Sequence, residues 1–241
     1  AYWRGSEKNK MLTRIYGTCW PTQKELDNYL NMLEEAKKRD HRKLGKELDL
    51  FTFSDLVGPG LPLFTPKGTI IRRELEDFVQ SLQEPFGYQR VTIPHLAKTE
   101  LYEKSGHWSK YKENMFLITS DEGIKFAMKP MNCPHHIELF ARKQHSYRDM
   151  PQRYSEVTAV YRQEKTGELI GLTRVYMLTQ DDAHNFCTEG QAIEEALNVY
   201  KIIKDFYAAF DFGLGMKVRL SLRDPQHPEK YLGDDAIWKK S

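Results

Sequence analysis

Long apolar runs are missing from this 241-residue sequence, so nothing in it reads as a membrane span. Cysteine is scarce: Cys19, Cys133 and Cys187 make no recognisable disulfide framework, which points to a reducing, cytoplasmic setting. Charge of one sign is missing too. With 36 Lys and Arg against 34 Asp and Glu, the net charge is +2, and any contact with a polyanion has to be local. There is no internal repeat, no low-complexity tract, no phosphate-binding Walker loop and no dinucleotide-binding glycine pattern. The opening residues, Ala1 to Gly5, lack the apolar core of a signal peptide. What remains is a charged chain long enough for one large core.

Thr22 and Glu25 form a capping-box pattern after Pro21, and Leu26, Tyr29, Leu30 and Leu33 follow at helical spacing. This predicts a helix from about Thr22 to Lys43. Its basic end, Lys37 to Arg39 with His41 to Lys43, is read first as a set of cations favoured by the helix dipole, and second as a nucleic-acid contact. Residues 51 to 68, rich in Gly and Pro, read as loop, and Ile71, Leu75, Phe78, Val79 and Leu82 mark a second helix. Arg90 to Ile93, Met115 to Thr119, Ile124 to Met128 and Lys217 to Arg223 read as strands, with a turn at Ser120 to Gly123. Helices are expected after Pro134 and over Gln191 to Phe210, closed by Gly213 and Gly215. The mixture argues an α+β fold, an antiparallel β-sheet flanked by helices.

The informative stretch is Glu156 to Cys187. Two strand-like runs, Glu156 to Glu164 and Thr173 to Cys187, enclose a polar loop. Residues two apart share a strand face, so Arg162 joins Glu164, and Arg174, Gln180, Asp182 and His184 join one another. The other parity, Val157, Ala159, Tyr161, Val175, Met177 and Ala183, reads as the core face. A hairpin would gather guanidiniums, carboxylates, an amide and an imidazole on one surface, suited to an anionic ligand and a metal. Taken alone, Arg162 and Glu164 are equally an ordinary ion pair on a wet face.

The run Arg162-Gln163-Glu164, the loop and Arg174 resemble motif 2 of class II aminoacyl-tRNA synthetases. Lys129 to Pro134 and Thr179 to His184 resemble the threonyl-tRNA synthetases, as do Ala1 to Gly5, Arg39 to Lys43 and Thr69 to Leu75. That resemblance implies activation of threonine by ATP and transfer to tRNA(Thr). It implies that Arg162 contacts the α-phosphate, that Glu164 accepts from the adenine amino group and that Arg174 adds charge near the phosphates. It further implies that Gln180, Asp182, Met131 and His136 hold threonine, and that Cys133 and His184 bind Zn2+. Mg2+ would arrive with ATP, and residues 68–94 would form a homodimer interface. The family's third zinc histidine, motif 3 arginine, editing domain and anticodon-binding domain have no counterpart here. The expectation is therefore a connector, residues 1–45, and a class II catalytic domain over 46–241, incomplete at its C-terminal end. His135, Tyr176, Leu178 and Ile170 depart from the family pattern, which commonly has glycine, arginine, an aromatic and histidine there. Two other readings stay open: a non-catalytic class II paralogue used for dimerisation or regulation, and a class II ligase for another amino acid such as serine or proline.

Overall fold

The structure is a computed structural model, and it describes residues 8–13, 15–212, 216–227, 230, 231, 233, 236 and 238. The strings Ala1 to Gly5 and Gly213 to Gly215 lie outside the described residues. The chain divides into two compact units. One holds the residues up to 76 with 90–144 and 154–184; the other holds 77–89, 145–153 and those from 185 onward.

In the first unit the expected opening helix is two helices. The first, α1 (Gln23–Lys38), starts at the capping box, where Thr22 Oγ1 accepts from Glu25 N and the Glu25 carboxylate accepts from Thr22 N. It ends at Lys38 because the Asp40 carboxylate accepts from Arg42 N and caps a new helix, α2 (His41–Glu47). The segment expected as loop carries a short antiparallel pair, β1 (Phe51–Thr52) with β2 (Leu63–Phe64). Next comes α3 (Pro66–Gln83), whose first turn is capped by Thr65 Oγ1 accepting from Gly68 N.

After β3 (Gln89–Arg90) and β4 (Leu96–Lys98) come the short helices α4 (Thr99–Lys104) and α5 (His107–Tyr111), then the hairpin β5 (Leu117–Thr119) and β6 (Lys125–Met128). Both β4 and β5 pair antiparallel with β6. The turn falls where the sequence places it: Ser120 N donates to Ile124 O, and Gly123 takes the left-handed φ of +81°. Tyr102, Met115 and Ala127 form a buried cluster against this sheet, flanked by Ala97 and Trp108. Beyond it lie α6 (Cys133–Ala141), β7 (Gln152–Tyr161) and β8 (Met177–Phe186), and the second sheet is ordered β3–β7–β8.

The second unit centres on α7 (Ala192–Ala208). Phe78 stacks on Phe206 at 5.6 Å and meets Phe210 edge-on. The buried Glu195 carboxylate is bound by Arg153 Nε at 2.7 Å and by Asn185 Nδ2 at 2.9 Å. The strand expected over Lys217 to Arg223 is absent: those residues join no ladder, and Val218, Leu220 and Leu222 are exposed. Alternation supplies a face, but a strand also needs a neighbour for its N–H and C=O groups. Among the described residues no helix is long and apolar enough to cross a membrane.

Candidate functional site

The two strands of the informative stretch are shifted from their expected bounds. β7 starts earlier and ends at Tyr161, and β8 starts only at Met177. Arg162, Glu164 and Arg174 therefore sit in the connecting loop. Its mouth is closed by Arg162 N donating to Tyr176 O at 2.8 Å. Parity holds along β8, but over Thr179 to His184 the expected covering is inverted. Gln180, Asp182 and His184 are half-buried, whereas Ala183, expected on the core side, is exposed, as are Thr179 and Asp181 of the same parity; Val175, just before the strand, is buried as expected and Met177 is half-buried. On β7, Thr158 and Val160 are buried, while Val157, Ala159 and Tyr161 are only half-buried. The reason is packing: the segment 129–136 lies over the polar face and makes it the enclosed one.

That segment brings four buried polar contacts. Lys129, fully buried, donates from Nζ to Thr158 Oγ1 at 2.9 Å and lies 3.8 Å from the Glu156 carboxylate. Burial lowers the Lys129 pKa, with Glu156 and Asp182 opposing. Asn132 Nδ2 donates to Asp182 Oδ2 at 2.8 Å. His136 Nδ1 and His184 Nδ1 are 2.8 Å apart, with the rings nearly perpendicular. Burial pushes His136 down to about 4, helped by His184, and burial also lowers His184 against the pull of Asp182. Both rings are thus neutral at pH 7, and one donates while the other accepts. Cys133 opens α6, and its thiol is pushed up by burial and then by the Asp182 carboxylate. Asn132 Oδ1, His136 Nε2 and both ring nitrogens of His135 are buried with no hydrogen-bond partner. Met131 is half-buried on the same segment.

The loop forms a second group. Arg174 donates to Glu164 Oε2 through Nε at 3.0 Å and Nη2 at 2.8 Å, and Nη2 lies 2.6 Å from Glu168 Oε2. Hydrogen bonding to Glu164 raises the Arg174 pKa further, so the guanidinium stays charged. Glu164 and Arg174 line a cavity of about 310 Å³ with Glu113, Asn114, Gln163, Lys165 and Glu168. The half-buried Arg162 has no hydrogen bond or ion pair from its guanidinium to any described residue. The structure therefore brings His136 and His184 into contact with Asp182 beside them, leaves Cys133 near Asp182 with no hydrogen bond to either imidazole, and pairs Glu164 with Arg174 elsewhere. Among the described residues no hydrogen bond or ion pair joins the two groups.

The family model for the tRNA synthetase class II core domain (G, H, P, S and T) matches residues 116–235. The threonine–tRNA ligase of Porphyromonas gingivalis is 53% identical over 243 residues, which is 100% of this chain and 37% of that protein. The chain belongs to the class II aminoacyl-tRNA synthetases. The threonine–tRNA ligase of Gloeobacter violaceus is 51% identical over 246 residues, 100% of this chain and 39% of that protein. The solved RNA-binding domain of threonyl-tRNA synthetase from Cryptosporidium parvum is 36% identical with a TM-score of 0.74, covering 84% of this chain and 49% of that one. The chain thus spans little more than a third of the curated relatives it matches, and its α+β fold is that of the class II core.

Within this class II core, sequence reasoning assigned no role to Lys129, Asn132, Glu156 or Thr158. The signal was present. The parity that pairs Arg162 with Glu164 runs back through Val160 and Thr158 to Glu156. Lys129, just before Pro130, had its partners there, and Asn132 had one in Asp182 on the other strand. For metal, Cys133 and His184 are the sulfur and nitrogen donors that Zn2+ favours. Among the described residues no three His, Cys, Asp or Glu side chains gather to hold an ion. The donor types fit zinc, and their number is incomplete.

Proposed function

We propose that this chain carries the threonine-activating site of a threonine–tRNA ligase. The observation that carries the reading is the convergence of β8 with the start of α6. Asp182 meets Asn132, and His184 meets His136, on the enclosed face of the sheet. Such a place suits a small hydroxy amino acid: a carboxylate to accept from its amino group, and buried unpaired polar atoms for its hydroxyl. A site built to bond a hydroxyl rejects an isostere lacking one far better than an apolar pocket does.

In this reading threonine lies against Asp182, Gln180, Met131 and His136. A zinc ion on Cys133 and His184, given a further ligand, would supply positions for an amine and a hydroxyl. ATP, with its Mg2+, takes the loop. Glu164 accepts from the adenine amino group, Arg174 exchanges Glu168 for a phosphate oxygen, and the unpaired Arg162 fork holds the α-phosphate and the amino-acid carboxylate. A carboxylate oxygen then attacks the α-phosphorus, and the bond to the β-phosphate bridging oxygen breaks. Pyrophosphate leaves with the electron pair. Arg162 stabilises the charge that gathers on the α-phosphate oxygens. The acyl group passes afterwards to tRNA(Thr), and residues 68–94 pair two copies.

Amino-acid-dependent ATP–pyrophosphate exchange tests this. Threonine should support the most exchange, serine less and valine none, with a low absolute rate because the zinc ligands are incomplete. Exchange that another amino acid supports better than threonine would contradict the reading.

A further inference from the structure

The loop that carries Arg174 is held from outside the sheet. Its tip is a tight turn: Ile170 and Arg174 exchange backbone hydrogen bonds at 3.1 and 3.2 Å, and Thr173 N and Oγ1 both donate to Ile170 O. These bonds leave the Leu172 N–H without a partner inside the turn. His41 takes it: Leu172 N donates to His41 Nε2 at 2.9 Å across 131 positions of sequence. The approach is close enough to exclude a side chain at Gly171. That residue has φ +48°, and a Cβ there would collide with His41 Nε2 and come within 2.9 Å of Arg42 Cγ. The imidazole is itself placed by its neighbours. Its ring stacks on Phe51, with centroids 6.3 Å apart, and its Nδ1 lies 3.7 Å from Asp40 Oδ1, the carboxylate that caps α2. The loop's far end is anchored from the same side, where Tyr176 N donates to Gly60 O at 2.8 Å.

We propose that His41 is a positioning residue: held on α2, it fixes the turn 170–174 and through that turn the Arg174 guanidinium. Leu172 and Arg174 are two residues apart in a turn closed on itself, so a restraint on one limits the other. The consequence for ATP rests on the reading of Arg174 as a phosphate-binding group. A solvated helix-start histidine would be tolerant of replacement; this one is the acceptor for a half-buried backbone N–H.

Hydrogen exchange read by mass spectrometry tests it on the whole chain, alongside ATP titration. His41→Ala should speed exchange at Leu172 on the order of fivefold, the loss of one ordinary hydrogen bond. The hairpin Leu117 to Met128 should stay protected. His41→Gln, whose amide oxygen can accept, should restore part of the protection. ATP affinity should fall in His41→Ala in the same direction as in Arg174→Ala. Unchanged exchange at Leu172 in His41→Ala would overturn the proposal, and so would a Gln variant no better protected than the Ala one. Raised exchange with unchanged ATP affinity would overturn the link to Arg174. Should His41→Ala also lose the hairpin's protection, His41→Gln decides: native exchange at 170–174 supports the assignment, and local loss with an intact hairpin overturns it. If the unaltered chain binds no ATP, the functional reading fails while the exchange data still decide the role of His41.

Discussion

Lys129 and Asp182 show how single residues set the character of the enclosed face. A fully buried ammonium persists there because Thr158 accepts from it and Glu156 lies 3.8 Å away. Removing the lysine alone leaves the Glu156 carboxylate in a dry place, which costs about 3–5 kcal/mol when a buried pair is broken. Lys129→Met should therefore destabilise the chain by that order in urea denaturation. Lys129→Met combined with Glu156→Gln should recover a large part, and a fully additive double variant would show that the two do not interact. In the proposed reading Asp182 is the carboxylate that meets the substrate. Asp182→Ala removes the acceptor of Asn132 and the carboxylate that acts on the His136–His184 pair. A charged hydrogen bond of about 1.5–3 kcal/mol corresponds to roughly a 10- to 150-fold loss of threonine affinity. Calorimetric titration with threonine reads it directly. The donor pair Cys133 and His184 should hold zinc substoichiometrically, and Cys133→Ser should lower the metal content further in elemental analysis. Full occupancy in the Ser variant would remove Cys133 from the metal site.

At the scale of elements, most of the reading was legible and the failures have physical causes. The capping box at Thr22, the turn at Ser120 to Gly123 and the amphipathic period after Gln191 are local chemistry, so sequence alone locates them. The break at Arg39 and Asp40 is local too, but the cations on either side continue the helical pattern and hide the new cap. The covering of β7 and β8 is not local. Whether Asp182 or Ala183 faces inward depends on where the segment 129–136 lies, and alternation cannot say which face is covered. Lys217 to Arg223 fails for the opposite reason, having an alternating face with no neighbour to pair with. The site followed the same rule. Gln180, Asp182 and His184 share a face by parity, whereas Asn132 and Lys129 needed the fold to find them. One prediction belongs at this scale. Gly45 on α2 packs against the Phe51 ring, and a Cβ there would overlap it. Gly45→Ala should therefore cost about 1–3 kcal/mol by overpacking in spite of alanine's better helix propensity. A gain in urea midpoint would contradict that packing.

For the whole molecule, the class II relationship accounts for the residues that composition leaves unexplained. A chain without charge bias has no general affinity for polyanions, so the proposed anion chemistry is local: an Arg162 unpaired among the described residues, and an Arg174 shared between Glu164 and Glu168. Ile70 and Ile71 on α3 are exposed at 60% and 47%, which is the apolar surface the proposed pairing of residues 68–94 would cover. Light scattering should then show a concentration-dependent dimer, weakened by Ile70→Glu; a strict monomer at high concentration would count against pairing through α3. The central claim is that one face of the β7–β8 sheet and its loop together bind an activated amino acid. The most direct measurement is calorimetric titration with a nonhydrolysable threonyl-adenylate mimic, on the unaltered chain and on Arg162→Ala and Asp182→Ala. The account predicts saturable binding that each substitution weakens at least about tenfold, the effect of one lost charged hydrogen bond. Equal binding by all three proteins, or tighter binding of a valyl mimic than of the threonyl one, would contradict it.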